Sequence, residues 1–363
     1  MNQRAIMHQP SLHFGTNISH WLSQSTLDRH EMGRYFTSDD CDRIASWGMD
    51  HIRLPVDFPL IENEGWPGHY SEEGLGWIDQ VLDWCDSSGL WCILDMHNLP
   101  GHVFFQDCRD INSVFDPASP TRKRAIDLWR MLARRYKGKK VVFEILNEPI
   151  AKESALWNDF AREVHAVIRS ETPEQWIMVS SNDWGHVNTF NRLTLIEDAR
   201  TMYTFHFYEP LLFTHQNAPW VSFMKILEGL KVPYPGPFDH SILDIKTGFP
   251  MDFGFMKKAP YGRQFLESLL EPVIQFKNKN KVPVYCGEFG SVAWAPCDDR
   301  LHWYRDVVDL FVKHGFGFAN WDYKSDDFGI VSTSGVVDTK LLAVLKNAVH
   351  FDISASSTHR FAQ

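Results

Sequence analysis

Short apolar runs alternate along this chain with longer segments in which apolar residues recur at helical spacing, as Ile126, Trp129 and Leu132 do. The predicted strands lie at residues 12–17, 51–56, 91–97, 141–147, 176–181, 202–208, 282–288 and 317–323. Strands that alternate with helices form a parallel sheet. Eight such units predict an α/β fold, the (β/α)8 TIM barrel.

One connection is much longer than the others. It runs from Glu209 to Pro260, after the sixth predicted strand, and carries Trp220, Tyr234 and Phe238. Loops of this length are usually functional or disordered, and the aromatic content favours a folded subdomain. We therefore expect a single catalytic barrel domain over residues 1–363, with a lid subdomain inserted at 209–260. A packed decoration without function is the alternative.

The composition fits a globular protein and excludes several partners. The 363 residues are 44% hydrophobic, and 36 Lys and Arg stand against 46 Asp and Glu, a net charge of −10. We find no dense basic run that could neutralise a nucleic-acid backbone. No apolar run approaches the roughly 18 residues that a membrane span needs. Nucleic acid and membrane are therefore not expected as partners.

The N-terminus and the cysteines indicate a cellular compartment. Residues 1–10 contain no apolar stretch typical of a secretion signal. The six cysteines are widely spaced, without a Cys-x-x-Cys pair, which is typical of free thiols in a reducing compartment. We expect a cytoplasmic protein, or a secreted one if a signal had been removed.

Two apolar runs each lead into a glutamate. Residues 143–149 contain Glu148 and residues 284–290 contain Glu288. A carboxylate at the end of a buried strand is costly unless it is paired or used. A (β/α)8 barrel gathers the carboxyl ends of its strands at one face, so we expect both glutamates there, about 5 Å apart.

Other polar or aromatic residues recur at the same predicted strand ends. A lone histidine or tryptophan on a strand is more often part of the core. A set that recurs at one end of nearly every strand is explained together by one pocket. The set comprises Arg53, Asp95, His97, Asn147, Asn182, His206, Tyr208 and Trp321.

This set supports hydrolysis of a glycosidic bond by two carboxyl groups. One must be protonated and the other ionised. Glu288 is the better nucleophile, since Arg53 and the Tyr208 hydroxyl are expected within its reach and both favour the charged form. Glu148 is then the acid and base, and Asn147 donates to the sugar 2-hydroxyl.

Several motifs together resemble glycoside hydrolase family 5, the cellulase family of clan A, in collinear order over roughly Phe14 to Leu345. They are Ile52-Arg53-Leu54-Pro55, Asp95-Met96-His97-Asn98-Leu99-Pro100-Gly101, Asn147-Glu148-Pro149, His206-Phe207-Tyr208, Gly287-Glu288-Phe289-Gly290 and Trp321. Asp322 and the loop 325–335 depart from the family pattern.

The resemblance implies a retaining double displacement with Glu148 as acid and base and Glu288 as nucleophile. It also implies that further residues shape the subsite of the attacked sugar: Arg53, His97, Asn147, His206, Tyr208 and Trp321. The implied substrate is a β-1,4-glucan or cello-oligosaccharide, with mixed-linkage β-glucan as an extension. No cofactor and no metal are implied.

Alternatives remain at this point. An exo-acting β-glucosidase or a β-mannanase of the same family would use the same two glutamates, and a non-catalytic sugar-binding barrel would need neither. His30-Glu31-Met32-Gly33-Arg34 begins like a zinc-protease motif but has Arg34 where the second histidine is required. We find neither a serine-hydrolase elbow nor a dinucleotide fingerprint.

Overall fold

Eight strands close into one barrel in chain order. The computed structural model describes residues 9–26, 28–104, 109–225, 228–237 and 260–346. The strands are β1 Phe14–Asn17, β2 His51–Val56, β3 Trp91–Met96, β4 Val141–Glu144, β5 Trp176–Ser180, β6 Thr201–Phe207, β7 Val284–Phe289 and β8 Gly317–Asn320. The register pairs are parallel, for example Arg53 with Ile93 and Asp95 with Glu144. The predicted (β/α)8 barrel is therefore confirmed.

Two strands end three residues earlier than the sequence predicts. β4 ends at Glu144 and not at Asn147, and β8 ends at Asn320. Beyond β4 the Ile145 and Asn147 amides still donate to the Met178 and Met96 carbonyls, whereas Pro149 carries no N–H to continue a ladder. Glu148 thus lies in the loop after β4, and the predicted end of this strand at Asn147 was wrong.

Helices follow most strands, as the pattern predicts. Their bounds are α1 Arg29–Tyr35, α2 Ser38–Ser46, α3 Phe58–Ile61, α4 Glu72–Ser87, α5 Pro120–Arg135, α6 Ser154–Glu171, α7 Asn182–Gly185, α8 Leu211–Thr214, α9 Arg263–Asn280 and α10 Cys297–His314. In α5 the Ser119 hydroxyl accepts from the Thr121 amide at the N-terminus. Ile126, Trp129 and Leu132 are buried on one face, as their spacing predicts.

The chain divides into two compact units. The first comprises residues 1–206, 272–287 and 317–319, and the second comprises residues 207–271, 288–316 and 320–363. The first unit holds the barrel strands except for the last residues of β6, β7 and β8. We call it the barrel unit and the other the loop unit.

The floor of the barrel, at the amino ends of the strands, is closed by a buried polar chain. His51 Nε2 lies 2.6 Å from the Tyr285 hydroxyl, and His51 Nδ1 lies 2.6 Å from Asp50 Oδ1. Gly15 leaves the room that the imidazole needs, because a Cβ there would be 2.4 Å from His51 Nε2. Apolar residues fill this end: Leu12, Ile93, Val142, Trp176, Met178, Met202, Tyr285 and Ala319.

The predicted insertion at 209–260 is described only in part. α8 and a 3-10 helix, Ser222–Lys225, form its first half in the loop unit. Residues 238–259, including Phe238, lie outside the described residues, so the lid stays a prediction. Among the helices of the described ranges, none is both long and apolar enough to cross a membrane.

Candidate active site

Arg53 is the centre of a buried network at the carboxyl ends of β1 to β4. Its guanidinium donates to both carboxylate oxygens of Glu144, at 2.7 and 3.1 Å, and to Asn17 Oδ1 at 2.9 Å. It also donates to Asn147 Oδ1 at 2.7 Å and lies 3.1 Å from Asp95 Oδ2. A fully buried cation is tolerated only with such pairing. Arg53, the third residue of β2, therefore links the carboxyl ends of β1, β3 and β4.

Glu144 was not singled out from the sequence. It is fully buried at the end of β4, where burial raises its pKa and the charge of Arg53 opposes that rise. The feature of the sequence that could have identified Glu144 is a carboxylate inside the apolar run that leads to Glu148. The bidentate contact with Arg53 explains why the protein keeps a charge at this position.

Glu148 lies in the loop after β4, and its carboxyl group contacts His206. Its Oε1 is 2.8 Å from Nδ1 of His206, which stands on β6, and its side chain is 16% exposed. Burial raises the pKa of Glu148 to about 8, and the charge of Arg53 works against this rise. A carboxyl group that is protonated at neutral pH can deliver a proton to a leaving group.

His97 follows β3 and is held by Asp95. Their side chains meet at 2.8 Å, and the His97 ring packs edge-on against Phe104. Burial raises the pKa of Asp95 to about 7. The positive charge of Arg53 opposes this rise, and the negative charges of Asp57 and Glu148 add to it. The contact with Asp95 fixes the orientation of the imidazole.

The side chain of Asn182, which follows β5, hydrogen-bonds to the main chain of Ala151. The Ala151 amide donates to its Oδ1 at 2.8 Å, and its Nδ2 donates to the Ala151 carbonyl at 3.0 Å. This double contact fastens the loop that carries Glu148. The predicted contact of Asn182 with substrate stays a prediction.

Trp184, two residues further on, gave no signal in the sequence. Its main-chain N–H donates to the Pro149 carbonyl at 3.3 Å, and its indole N–H donates to the Phe104 carbonyl at 2.9 Å. Asp183 and Trp184 have φ of 55° and 59°, the left-handed region that costs a non-glycine residue about 1–2 kcal/mol. Such strain is typical of functional loops, and here it lies against the loop of Glu148.

In the loop unit, Tyr208 and Glu288 form a pair. The Tyr208 hydroxyl donates to Glu288 Oε2 at 2.9 Å, and the Glu288 residue is 5% exposed. The predicted approach of Tyr208 to Glu288 is thus observed, while the approach of Arg53 to Glu288 stays a prediction. A donor at this distance stabilises a negative charge on the carboxylate.

Trp321 follows β8 and is nearly buried. Its amide donates to the Phe289 carbonyl at 2.9 Å, and its own carbonyl lies so close to Gly290 that a Cβ there would be 2.5 Å from the oxygen. Asp322, which departs from the family pattern, accepts from the Ser325 hydroxyl at 2.8 Å. That contact anchors the start of the loop 325–335.

Gly287, the last β7 residue of the barrel unit, is tied to the Arg53 network. Asn17 accepts from Arg53 and donates through Nδ2 to the Gly287 carbonyl at 2.9 Å. A Cβ at Gly287 would lie 3.2 Å from His206 Nε2 and 3.0 Å from Thr204 Oγ1, so a side chain there would press on both. Glycine at this position lets β7 pass close to His206.

Comparison with known proteins identifies the class. The model of the cellulase family, glycosyl hydrolase family 5, matches residues 14–327. Endoglucanase C of Acetivibrio thermocellus is 35% identical over 323 residues, which is 87% of this chain and 92% of that protein. Cellodextrinase A of Ruminococcus flavefaciens is 31% identical over 341 residues, 92% of each chain.

A solved structure agrees at the level of the fold. Cel5A of Thermotoga maritima, solved in complex with cellobiose, superposes with a TM-score of 0.74 at 24% identity, covering 92% of this chain and 97% of that one. This protein is a glycoside hydrolase. More narrowly, the chain belongs to the cellulase family, glycosyl hydrolase family 5, as the sequence motifs predicted.

Proposed function

We propose that this protein is a retaining endo-β-1,4-glucanase in which Glu148 is the acid and base and Glu288 is the nucleophile. Relatives that match most of the chain are named endoglucanases, which supports the β-1,4-glucan or cello-oligosaccharide substrate. The raised pKa of Glu148 supports its role as the acid, and the Tyr208 hydroxyl that donates to Glu288 supports the positioning of Glu288 as the nucleophile.

One observation carries this proposal. Arg53 bonds Asn147, the residue before Glu148, and through Asn17 it is connected to Gly287, the residue before Glu288. Consecutive Cα atoms are only about 3.8 Å apart. One buried network in the barrel unit therefore anchors the main chain at Asn147 and at Gly287, the residue before each glutamate, which supports a catalytic role for both glutamates.

In the first half-reaction, a Glu288 carboxylate oxygen attacks the anomeric carbon. The bond from that carbon to the glycosidic oxygen breaks, and the departing oxygen takes the proton of Glu148. Tyr208 holds the attacking carboxylate in place. Because Arg53 donates to Asn147 Oδ1, the amide nitrogen of Asn147 is left to donate to the sugar 2-hydroxyl.

In the second half-reaction, the Glu148 carboxylate removes a proton from water. The water oxygen attacks the anomeric carbon, the ester bond to Glu288 breaks, and the β configuration is restored. Protons and the sugar move only among Glu148, Glu288 and water, so this chemistry requires no metal or cofactor. His97 and Trp321 are proposed as contacts of the attacked sugar.

Product analysis on cellohexaose tests the proposal. Internal cleavage to cellobiose, cellotriose and cellotetraose is expected, and proton NMR should show the β anomer first. Stepwise release of glucose would favour the exo-acting β-glucosidase instead, and preference for mannohexaose would favour the β-mannanase. The α anomer as first product would contradict the retaining mechanism.

Variants test the two roles. Glu288→Ala should lose turnover while it stays folded, and added azide should restore cleavage with the inverted glycosyl azide as product. Glu148→Ala should still form the glycosyl-enzyme from substrates with good leaving groups. If both variants kept near-normal rates on an unactivated glucan, the assignment of Glu148 and Glu288 would be wrong.

A further inference from the structure

The segment that carries Glu148 depends on other parts of the chain for its hydrogen bonds. Residues 145–153 form an irregular segment between the end of β4 and the start of α6. Before Glu148, the Asn147 amide still donates to the Met96 carbonyl at 3.0 Å, as a strand residue would. After Glu148, Pro149 has no N–H to donate. Because buried main-chain groups need partners, groups from other loops must hold this segment.

Two buried asparagines of the barrel unit supply these partners. Asn182, after β5, is 3% exposed, and Asn112, in the loop between β3 and α5, is 6% exposed. Asn182 bonds both main-chain groups of Ala151, at 2.8 and 3.0 Å. Asn112 donates through Nδ2 to the Ile150 carbonyl at 3.0 Å. We call Asn112 and Asn182 the asparagine clamp. It holds two successive residues, the second and third after Glu148.

Asn112 is itself fixed in one orientation. Its Oδ1 accepts from the Val103 amide at 2.9 Å, and its Nδ2 also donates to the Val103 carbonyl at 3.0 Å. Both N–H groups of Asn112 therefore point at carbonyl oxygens, which admits only one orientation of the side-chain amide. The amide of Trp184 adds a contact of its own, to the Pro149 carbonyl at 3.3 Å. Three successive carbonyl groups, those of residues 149–151, are thus bonded from outside the segment.

We propose that Asn112 and Asn182 are positioning residues, which hold Glu148 where it can protonate the leaving oxygen and later take a proton from water. This inference rests on the proposed function. An acid or base must lie within hydrogen-bond distance of the reacting oxygen, and a displacement of about 1 Å can cost about 100-fold in rate. The clamp bonds the segment of Glu148, so its loss should affect the steps that need this carboxyl group. For Asn182 this role differs from the predicted contact with substrate.

The experiment compares two substrates that differ in their need for an acid. Cellohexaose has a poor leaving group and requires the Glu148 proton, whereas dinitrophenyl cellobioside can form the glycosyl-enzyme without it. Asn182→Ala and Asn112→Ala should each lower kcat/KM for cellohexaose about 10- to 100-fold. The same variants should change kcat/KM for the dinitrophenyl substrate by no more than about twofold.

The dinitrophenyl substrate also reports on the second half-reaction. In both clamp variants its kcat should fall, because hydrolysis of the glycosyl-enzyme needs Glu148 as a base. A burst of dinitrophenolate should precede the slow steady state and should equal the concentration of folded enzyme. This burst counts the sites in which Glu288 still works, so every rate is expressed per working site even where a variant is less stable.

Asn158→Ala is the matched control. Asn158 on α6 donates to the Arg192 carbonyl at 2.8 Å and accepts from the Thr194 amide at 3.3 Å, so it bonds main chain in both directions outside the segment of Glu148. This variant should keep both kcat/KM values within about twofold of the wild type. Thermal unfolding of all variants shows which of them are folded, and if Asn182→Ala did not fold, Asn112→Ala would decide by the same comparison.

The outcomes separate the clamp from the proposed function. If the wild type cleaved neither substrate, or if Glu148→Ala lowered kcat/KM equally for both, the proposed function would fail. If Glu148→Ala distinguished the two substrates and neither clamp variant did, the clamp alone would be refuted. An equal loss for both substrates in Asn182→Ala would indicate a contact of Asn182 with the sugar and would overturn its role as a positioning residue.

Discussion

The Nδ1 atom of His206 lies 2.8 Å from Oε1 of Glu148, and both groups are largely removed from water. His206 stands on β6, whereas Glu148 lies in the loop after β4, so the contact joins two non-neighbouring strands of the barrel. Because burial raises the pKa of Glu148 to about 8, the carboxyl group keeps its proton near neutrality.

The first prediction concerns the alkaline side of the pH profile. The free enzyme must hold the Glu148 proton, so kcat/KM for cellohexaose should fall as the pH rises through about 8. Dinitrophenyl cellobioside needs no protonation of its leaving group, and its profile should lack this decline. Glu148→Gln should lose the decline for both substrates. A decline that persisted in Glu148→Gln would show that another group is responsible.

The second prediction contrasts two tyrosines. Tyr208→Phe removes the donor to Glu288, and a hydrogen bond to a charged group is worth about 1.5–3 kcal/mol, so kcat should fall by about one to two orders of magnitude. The melting temperature should stay nearly constant, because Tyr208 is partly exposed.

Tyr285→Phe is the matched change at the barrel floor. It leaves Nε2 of buried His51 without its hydroxyl partner, while Nδ1 keeps its contact with Asp50, and it should cost about 1–3 kcal/mol of unfolding free energy while kcat stays the same. Urea unfolding and steady-state kinetics on both variants check the contrast. Loss of kcat in Tyr285→Phe, or full activity in Tyr208→Phe, would contradict it.

The barrel could be predicted because its strands are encoded locally. Runs such as His51–Val56 and Trp176–Ser180 are short, mostly apolar and buried along their whole length. Their ends are not encoded in the same way, as β4 shows, because single backbone hydrogen bonds to the neighbouring strands continue beyond its last residue, Glu144. Asn147 donates its amide to the Met96 carbonyl beyond the end of β4.

The site could be predicted where a residue forms part of a motif, and not where it depends on a distant partner. Glu148 and Glu288 stand in recognisable runs, whereas Glu144 is understood only once Arg53 is seen beside it. The left-handed backbone of Trp184 has no signature in a single sequence, because glycine is the residue that normally indicates this conformation. The contact of Asn182 with the Ala151 main chain likewise had no signature in the sequence, and its contact with substrate stays a prediction.

The third prediction concerns the charge balance around Arg53. Arg53→Met leaves Glu144 as a buried carboxylate without its cation and should cost about 3–5 kcal/mol of unfolding free energy near neutral pH. The cost should be smaller in mild acid, where Glu144 takes up a proton. Adding Glu144→Gln should restore part of the stability, since the unpaired charge is gone, but not activity, because Asn147 still lacks its donor.

Urea unfolding of the single and double variants at two pH values measures this coupling. Equal stability of Arg53→Met and the double variant would mean that Glu144 carries no charge in the fold. Arg53→Lys should also be destabilised, because a lysine cannot make the bidentate contact with Glu144.

The last prediction concerns acid stability at the barrel floor. Burial would raise the pKa of Asp50, but hydrogen bonds from His13 and His51 hold the pKa well below its usual range. A lowered pKa in the folded state stabilises the fold above the unfolded value of about 3.9, and this contribution is lost as the pH falls below that value. Asp50 also accepts from the Ser11 hydroxyl and the Phe14 amide, so its charge anchors the segment that leads into β1.

Asp50→Asn should therefore cost about 2 kcal/mol near neutral pH and much less in strong acid, where wild-type Asp50 approaches protonation. Asp86→Asn, at an exposed position on α4, is the control and should change stability little at either pH. Thermal unfolding across the acid range gives both curves. The floor lies at the opposite end of the strands from Glu148, so Asp50→Asn should lose stability without losing kcat. If folded Asp50→Asn also lost kcat, the floor would be shown to position the catalytic end as well.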